Sequence, residues 1–218
     1  MHAGKKLLFL AIFLGLVSCS SPREKVIILC AGDSITDSEY PRHLHRLFSQ
    51  EGRRVRILNY GRKGNTSGEY LRFLKKQKST LAREHPDFVL LQLGTNDVRT
   101  DGDFTSAEDY ARNMKAIIAI FREFRNRKKE KAKILLATIP PLPEGISFPF
   151  SPQSRERVIR EINPLVEKIA AEEKAVLVDN YSLFSKSPQL LADVHPTSQG
   201  YKLLAQHWHD ALRPLLEK

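Results

Sequence analysis

Cysteine is scarce in this chain: among 218 residues, only Cys19 and Cys30 occur. Two cysteines can form at most one disulfide, which excludes a small disulfide-stapled scaffold. The chain is 41% hydrophobic, so its stability is expected to come from one apolar core of ordinary size. Cys30 stands in an apolar run, and we expect it to be a buried, unreactive thiol.

Long hydrophobic runs are also missing. The apolar run 7–17 is too short to span a bilayer, and it follows Lys5 and Lys6, as in a secretory signal. It ends in Leu16-Val17-Ser18-Cys19, which resembles the bacterial lipobox. That resemblance implies a signal peptide over residues 1–18, a lipidated Cys19 with a linker over 19–24, and a domain over 25–218. An ordinary signal peptide cleaved near Ser21 is the alternative.

The lipobox resemblance also implies a location. It places the protein in the bacterial cell envelope, anchored to a membrane by lipid on Cys19. Ser20 stands where many such bacteria have a retention Asp, which favours the outer membrane, with the domain periplasmic or exposed at the surface.

Cofactor-binding motifs are absent from the sequence. Gly61-x-x-Gly64 lacks the third glycine of a dinucleotide fingerprint, and no Walker lysine motif occurs. The pairs His43/His45 and His207/His209 have a two-residue spacing, which puts their side chains on different faces of a helix. We therefore expect neither a cofactor nor a metal.

The formal net charge is +10, and the densest basic run covers residues 122–133. A basic run of this kind can bind nucleic acid. Its place at the end of a predicted helix favours solvated cations that face the negative end of the helix dipole. We thus predict no nucleic-acid partner, while an anionic membrane surface remains an alternative.

Five β-rich apolar runs alternate with amphipathic helical patterns. The runs cover residues 25–31, 55–59, 88–93, 134–138 and 176–179. The clearest helical stripe extends from Ala107 to Phe121, with Thr105 and Glu108 as a candidate capping box. This alternation predicts an α/β fold, a five-stranded parallel sheet between two layers of helices.

Polar residues follow four of these segments. Strand one leads into Gly32-Asp33-Ser34-Ile35, strand two into residues 59–66, strand three into Gly94-Thr95-Asn96-Asp97, and the segment after strand five into Asp193-Val194-His195-Pro196. Functional groups of a doubly wound sheet gather beyond the carboxyl ends of its strands, so these segments should meet.

The residue types at this edge suit acyl transfer. Ser34 can act as nucleophile, His195 as base, and Asp193 as the group that orients the base. The Ser34 backbone N–H, the Gly64 backbone N–H and the Asn96 amide can converge on an oxyanion. Asp33 and Asp97 are expected to hydrogen-bond loop backbone.

These four segments resemble the sequence blocks of the SGNH-hydrolase superfamily, also called GDSL esterases and lipases. The resemblance covers nearly all of the chain after Glu24. It implies a flavodoxin-like three-layer sandwich, a metal-free serine esterase with an acyl-enzyme on Ser34, and oxyanion roles for Gly64 and Asn96. The family's acid usually stands three residues before the histidine, where this chain has Ala192. If Asp193 does not reach the ring, Asp97 or a backbone carbonyl can orient His195, or the site works as a dyad.

The substrate is less constrained by the sequence. The proline-rich segment 140–150 follows strand four, and Leu142, Ile146, Phe148 and Phe150 either line an acyl or sugar pocket or fold inward. The short chain favours small acyl groups, such as O-acetyl esters of glycans. The alternatives are a lysophospholipase or thioesterase acting on longer acyl chains, and a lipoprotein that binds a ligand without catalysis.

Overall fold

A computed structural model describes residues 25–217. Five parallel strands form one sheet in the order β2-β1-β3-β4-β5. The strands are β1 (Val26–Gly32), β2 (Val55–Gly61), β3 (Phe88–Gln92), β4 (Lys133–Ala137) and β5 (Val176–Val178). The helices are α1 (Tyr40–Gln50), α2 (Ser67–Ala82), α3 (Ala107–Arg122), α4 (Pro152–Arg157), α5 (Asn163–Glu172), α6 (Asn180–Ser185) and α7 (Ser198–Leu216). A π-helical turn (Val158–Ile162) joins α4 to α5.

Two hydrophobic layers cover the two faces of the sheet. Side chains alternate along a strand, so Leu29 and Ala31 of β1 point into one layer and Ile28 and Cys30 into the other. The first layer contains buried side chains of α2, α3 and α5, and the second contains those of α1, α6 and α7. The predicted three-layer α/β architecture is confirmed.

The predicted strands agree with the observed ones to within two residues at each end. The predicted cap of α3 is wrong by one position. Ser106, not Thr105, is the N-cap, and its hydroxyl accepts the Asp109 backbone N–H at 3.0 Å. The backbone N–H of Thr105 instead donates to the Asp97 carbonyl at 3.2 Å, in the loop after β3.

The basic segment after α3 behaves as a helix end. Arg125 donates from Nη1 to the carbonyls of Arg122, Glu123 and Phe124, at 2.9, 3.0 and 3.2 Å. These carbonyls lie at the negative end of the helix dipole, where a cation is stabilising.

The predictions for the signal peptide, the lipobox and Cys19 lie outside residues 25–217. Within that range, no helix is both long enough and apolar enough to cross a bilayer.

Candidate active site

The first element of the site is the turn that follows β1. Gly32 ends this strand against the Gln92 carbonyl, and a Cβ at Gly32 would lie 2.3 Å from that oxygen. A glycine is therefore required where β1 passes β3. Asp33 then accepts the Ile35 backbone N–H at 3.0 Å, which turns the chain so that Ser34 is only half-buried.

The structure brings Ser34 and His195 together, although 161 positions separate them in the chain. The Ser34 Oγ lies 2.8 Å from the His195 Nε2. On the other side of the ring, Nδ1 lies 2.8 Å from the Asp193 Oδ1. A carboxylate can only accept, so Nδ1 carries the proton of the neutral ring and Nε2 is left to accept from the Ser34 hydroxyl.

A tight turn explains how Asp193 reaches the His195 ring from only two residues before it in the chain. One oxygen, Asp193 Oδ1, accepts both the His195 backbone N–H at 2.7 Å and the ring N–H at 2.8 Å. The turn is closed by the Ala192 N–H, which donates to the His195 carbonyl at 3.0 Å, and by a bridge between Leu191 and Pro196. An acid two residues before the histidine thus reaches the ring because the same carboxylate holds the turn.

The predicted oxyanion donors lie on three loops at the same edge. Gly64 has φ +79°, and a Cβ there would meet nothing within 4 Å, so its backbone is open to an approaching ligand. Within residues 25–217, the backbone N–H groups of Ser34 and Gly64 have no hydrogen-bond acceptor. Asn96 donates one amide hydrogen to the Asn65 carbonyl at 3.0 Å, which leaves its second hydrogen available.

Replacing Asn96 with alanine is expected to lower the kcat of ester hydrolysis about 10²- to 10³-fold with little change in KM, as for the loss of one oxyanion donor. Steady-state kinetics on p-nitrophenyl acetate measures this. Gln206→Ala, at an exposed amide side chain of α7, is the matched control. A fall in kcat of less than about threefold for Asn96→Ala would exclude the donor role.

A buried network, not foreseen from the sequence, holds the Asn96 loop. The Asp97 carboxylate accepts the Ser67 N–H at 2.9 Å and the Ser67 hydroxyl at 2.6 Å. Arg157 is 4% exposed and donates to the carbonyls of Asp97 and Thr105, at 2.8 and 2.6 Å. Burial raises the pKa of Asp97, although the hydrogen bonds from Ser67 oppose the shift. Asp97 thus accepts a backbone N–H, as predicted, but this N–H belongs to Ser67, the first residue of α2, and not to a loop.

A signal for part of this network was present in the sequence. Thr66 and Glu69 form a reciprocal capping box at the start of α2, and their Thr-x-x-Glu spacing can be read from the chain. That cap fixes the first turn of α2, which presents Ser67 to Asp97. Arg157 forms an ion pair with Glu161, four residues on, but the two carbonyls through which it holds the loop belong to residues about 50 or more positions away and left no signal in the sequence.

The pKa of Asp33 is raised by burial to about 6, although the Ile35 N–H opposes the shift. A raised carboxyl pKa favours the protonated folded state. The stability that the protonated Asp33 carboxyl contributes is fully present below pH 3.8, the pKa of this group in the unfolded chain. It is lost as the pH rises through about 6, the pKa in the folded protein. Asp33→Asn has no such titration and keeps an acceptor for Ile35.

From about pH 4 to about pH 7, Asp33→Asn is therefore expected to gain unfolding free energy on the order of 3 kcal/mol relative to the wild type. Urea unfolding at both pH values measures the gain. The control is Asp37→Asn, at a neighbouring exposed carboxylate. The same difference between Asp33→Asn and the wild type at both pH values would contradict the expectation.

The segment 140–150 lies against the loop after β3, because the Thr100 N–H donates to the Pro149 carbonyl at 2.8 Å. The predicted pocket role of Leu142 needs correction: it is 4% exposed and belongs to the hydrophobic core. Ile146 and Phe150 pack partly against the same core, as the inward-folding alternative expects. Phe148 is 77% exposed.

The remaining reactive groups lie apart from this chemistry. Cys30 is fully buried, and burial raises the pKa of its thiol to about 12, so it stays protonated at neutral pH. In the described part of the chain, no group of three or more His, Cys, Asp or Glu side chains is arranged to hold a metal ion.

Comparison with known proteins identifies the family and agrees with the observed fold. The family model described as GDSL-like Lipase/Acylhydrolase family matches residues 30–203. The lipase/acylhydrolase from Enterococcus faecalis superposes with a TM-score of 0.71 at 24% identity, over 87% of this chain and 96% of that one. An acetylxylan esterase from Geobacillus stearothermophilus gives a TM-score of 0.68 at 23% identity, over 86% and 94% of the two chains.

A multidomain esterase from Ruminococcus flavefaciens is 28% identical over 135 residues, which cover 61% of this chain and 16% of that protein. These likenesses agree with the family match, which extends from β1 into α7. The protein belongs to the GDSL-like lipase/acylhydrolase family, and the predicted class of enzyme, an esterase-type hydrolase, is confirmed.

Proposed function

We propose that this protein is a serine esterase that removes short acyl groups, acetyl above all, from carbohydrate. The observation that carries the catalytic part is the chain of contacts from Ser34 Oγ to His195 Nε2 and from His195 Nδ1 to Asp193, each 2.8 Å long. A hydroxyl, a base and an orienting carboxylate in this order are the parts that acyl transfer requires.

The reaction follows from these contacts. Ser34 Oγ attacks the ester carbonyl carbon while His195 Nε2 takes the hydroxyl proton, and Asp193 stabilises the resulting imidazolium. The developing oxyanion accepts from the N–H groups of Ser34 and Gly64 and from the free amide hydrogen of Asn96. His195 returns the proton to the leaving alcohol, and water then releases the acid from Ser34 by the same steps.

Two observations favour a small acyl group on a sugar. Leu142 is buried, and Ile146 and Phe150 pack partly on the core, so of the four predicted pocket side chains only Phe148 is largely exposed; a single exposed ring covers a small acyl group better than a long chain. Among the similar proteins, one is named as an acetylxylan esterase and another as a multidomain esterase. The preference for carbohydrate rests on this likeness.

An acyl-length series of p-nitrophenyl esters tests the proposal. We expect kcat/KM to be highest for acetate and to fall at least about tenfold by octanoate, because one exposed side chain, Phe148, cannot bury the added methylenes. A maximum at long chains would overturn the short-acyl assignment and favour a lysophospholipase or thioesterase. If every ester were hydrolysed only at the background rate, the esterase proposal would be overturned, and a lipoprotein that binds a ligand on the same scaffold without catalysis would be favoured.

We further propose that the mature chain is anchored to the cell envelope through lipid on Cys19, as the lipobox-like residues 16–19 indicate. Metabolic labelling with a fatty acid should mark the wild type and not Cys19→Ala. Equal labelling of the two would overturn the anchor.

A further inference from the structure

A polar cavity of about 440 Å³ opens between the first turns of α2, the start of α3 and the loop 102–105. Its size falls in the usual range for small-molecule sites. None of the catalytic groups lines it, and the mechanism above makes no use of it. Its wall begins at Thr66, two residues after Gly64, so at most about 7 Å of chain separates the cavity from this predicted oxyanion donor.

The cavity is joined to the site by hydrogen bonds as well as by the chain. Asn113, on its α3 wall, donates to the Ser67 hydroxyl at 3.1 Å. Ser67 in turn donates to Asp97, the neighbour of Asn96. The cavity wall and the loop that holds Asn96 are therefore joined by one hydrogen-bond network, which fixes their relative positions.

Phe104 gives this cavity an aromatic platform. It lines the cavity and remains 54% exposed, so part of its surface is open to the cavity. The Arg157 guanidinium lies 4.3 Å from the ring centroid, and Arg157 is itself buried and held by two carbonyls. One side of the ring is thus supported while the rest is available to a ligand.

The charges around Phe104 are balanced. Three basic and three acidic side chains line the cavity: Arg72, Lys75, Arg112, Glu69, Asp103 and Asp109. Equal numbers of the two signs give no net attraction for a polyanion, and they offer many donors and acceptors for hydroxyl groups. An aromatic face, whose negative potential attracts C–H groups, suits the apolar face of a sugar ring.

We propose that this cavity is a subsite for a neutral glycan, holding a sugar unit next to the one whose ester reaches Ser34. The inference rests on the proposed esterase function and adds the place where the rest of the substrate binds. Phe104 stacks on the sugar ring, and the polar walls bind its hydroxyl groups. Binding here positions the ester without taking part in the chemistry.

The test compares two substrates, acetylated xylo-oligosaccharides and p-nitrophenyl acetate, which is too small to reach both sites. Phe104→Ala is expected to raise KM for the oligosaccharides roughly three- to tenfold and to leave kcat/KM for p-nitrophenyl acetate unchanged. Phe104→Tyr, which retains the ring, should behave as the wild type. Leu177→Ala, at an exposed side chain of edge strand β5, is the control.

An unchanged KM for the oligosaccharides in Phe104→Ala would overturn the subsite, and so would an equal loss with both substrates. A wild type that hydrolyses p-nitrophenyl acetate but not the oligosaccharides would overturn the subsite and leave the esterase standing. A wild type inactive on both would overturn the esterase proposal and this one with it.

Discussion

Ser34→Ala is expected to lower the kcat of ester hydrolysis at least about 10⁴-fold, because it removes the atom that forms the acyl-enzyme. His195 then has no hydroxyl to activate at 2.8 Å. Thermal unfolding should be nearly unchanged, since Ser34 is half-buried and its side chain has no other partner among residues 25–217. Hydrolysis of p-nitrophenyl acetate measures the loss.

Labelling provides an independent readout of the same residue. A fluorophosphonate should modify the wild type on Ser34, identified by mass spectrometry, and should not modify Ser34→Ala. Ser49→Ala, at an exposed serine of α1, should keep both activity and labelling. Retained turnover in Ser34→Ala, or a label on another serine, would rule out this nucleophile.

The second large effect is expected at Asp193. Asp193→Asn should reduce kcat about 10³- to 10⁴-fold, because an amide neither stabilises the imidazolium nor enforces the tautomer that leaves Nε2 free. The amide oxygen can still accept the His195 backbone N–H, so the turn is expected to persist. Steady-state kinetics beside circular dichroism separates the loss of charge from a loss of fold.

The alternatives for orienting His195 make this experiment decisive. If Asp97 supplied the charge, Asp97→Asn would be the costly change and Asp193→Asn a mild one. The structure instead commits Asp97 to Ser67. Asp37→Asn, at an exposed carboxylate near Ser34, is the matched control and should retain full activity.

The sheet could be predicted because its information is local. Buried parallel strands are continuous apolar runs, and amphipathic helices repeat every 3.6 residues, so both patterns are visible in short windows. The cap of α3 shows where local information ends. Thr105 and Ser106 are both acceptable caps, and the choice between them follows from Thr105 donating to Asp97, a contact made across the fold.

The site was predictable in part for the same reason. The strand-end positions of Ser34 and Asn96 follow from the alternation of elements, and the structure brings Ser34 to His195 as expected. The reach of Asp193 could not be settled from spacing, because it depends on the turn that Ala192 and His195 close. Arg157 and Phe104 carried no motif, since each acquires its role from partners distant in the chain.

The turn that holds Asp193 and His195 has a consequence for motion. Since the imidazole and its carboxylate share three consecutive residues, a displacement of loop 191–196 carries both as a unit. Such a displacement would break the contact of His195 to Ser34, on a different element, and would withdraw Val194 from the hydrophobic core. Because the hydrogen bond between Asp193 and His195 lies within the loop, it would survive, and recovery of the proton-transfer geometry would depend on restoring the contact between Ser34 Oγ and His195 Nε2.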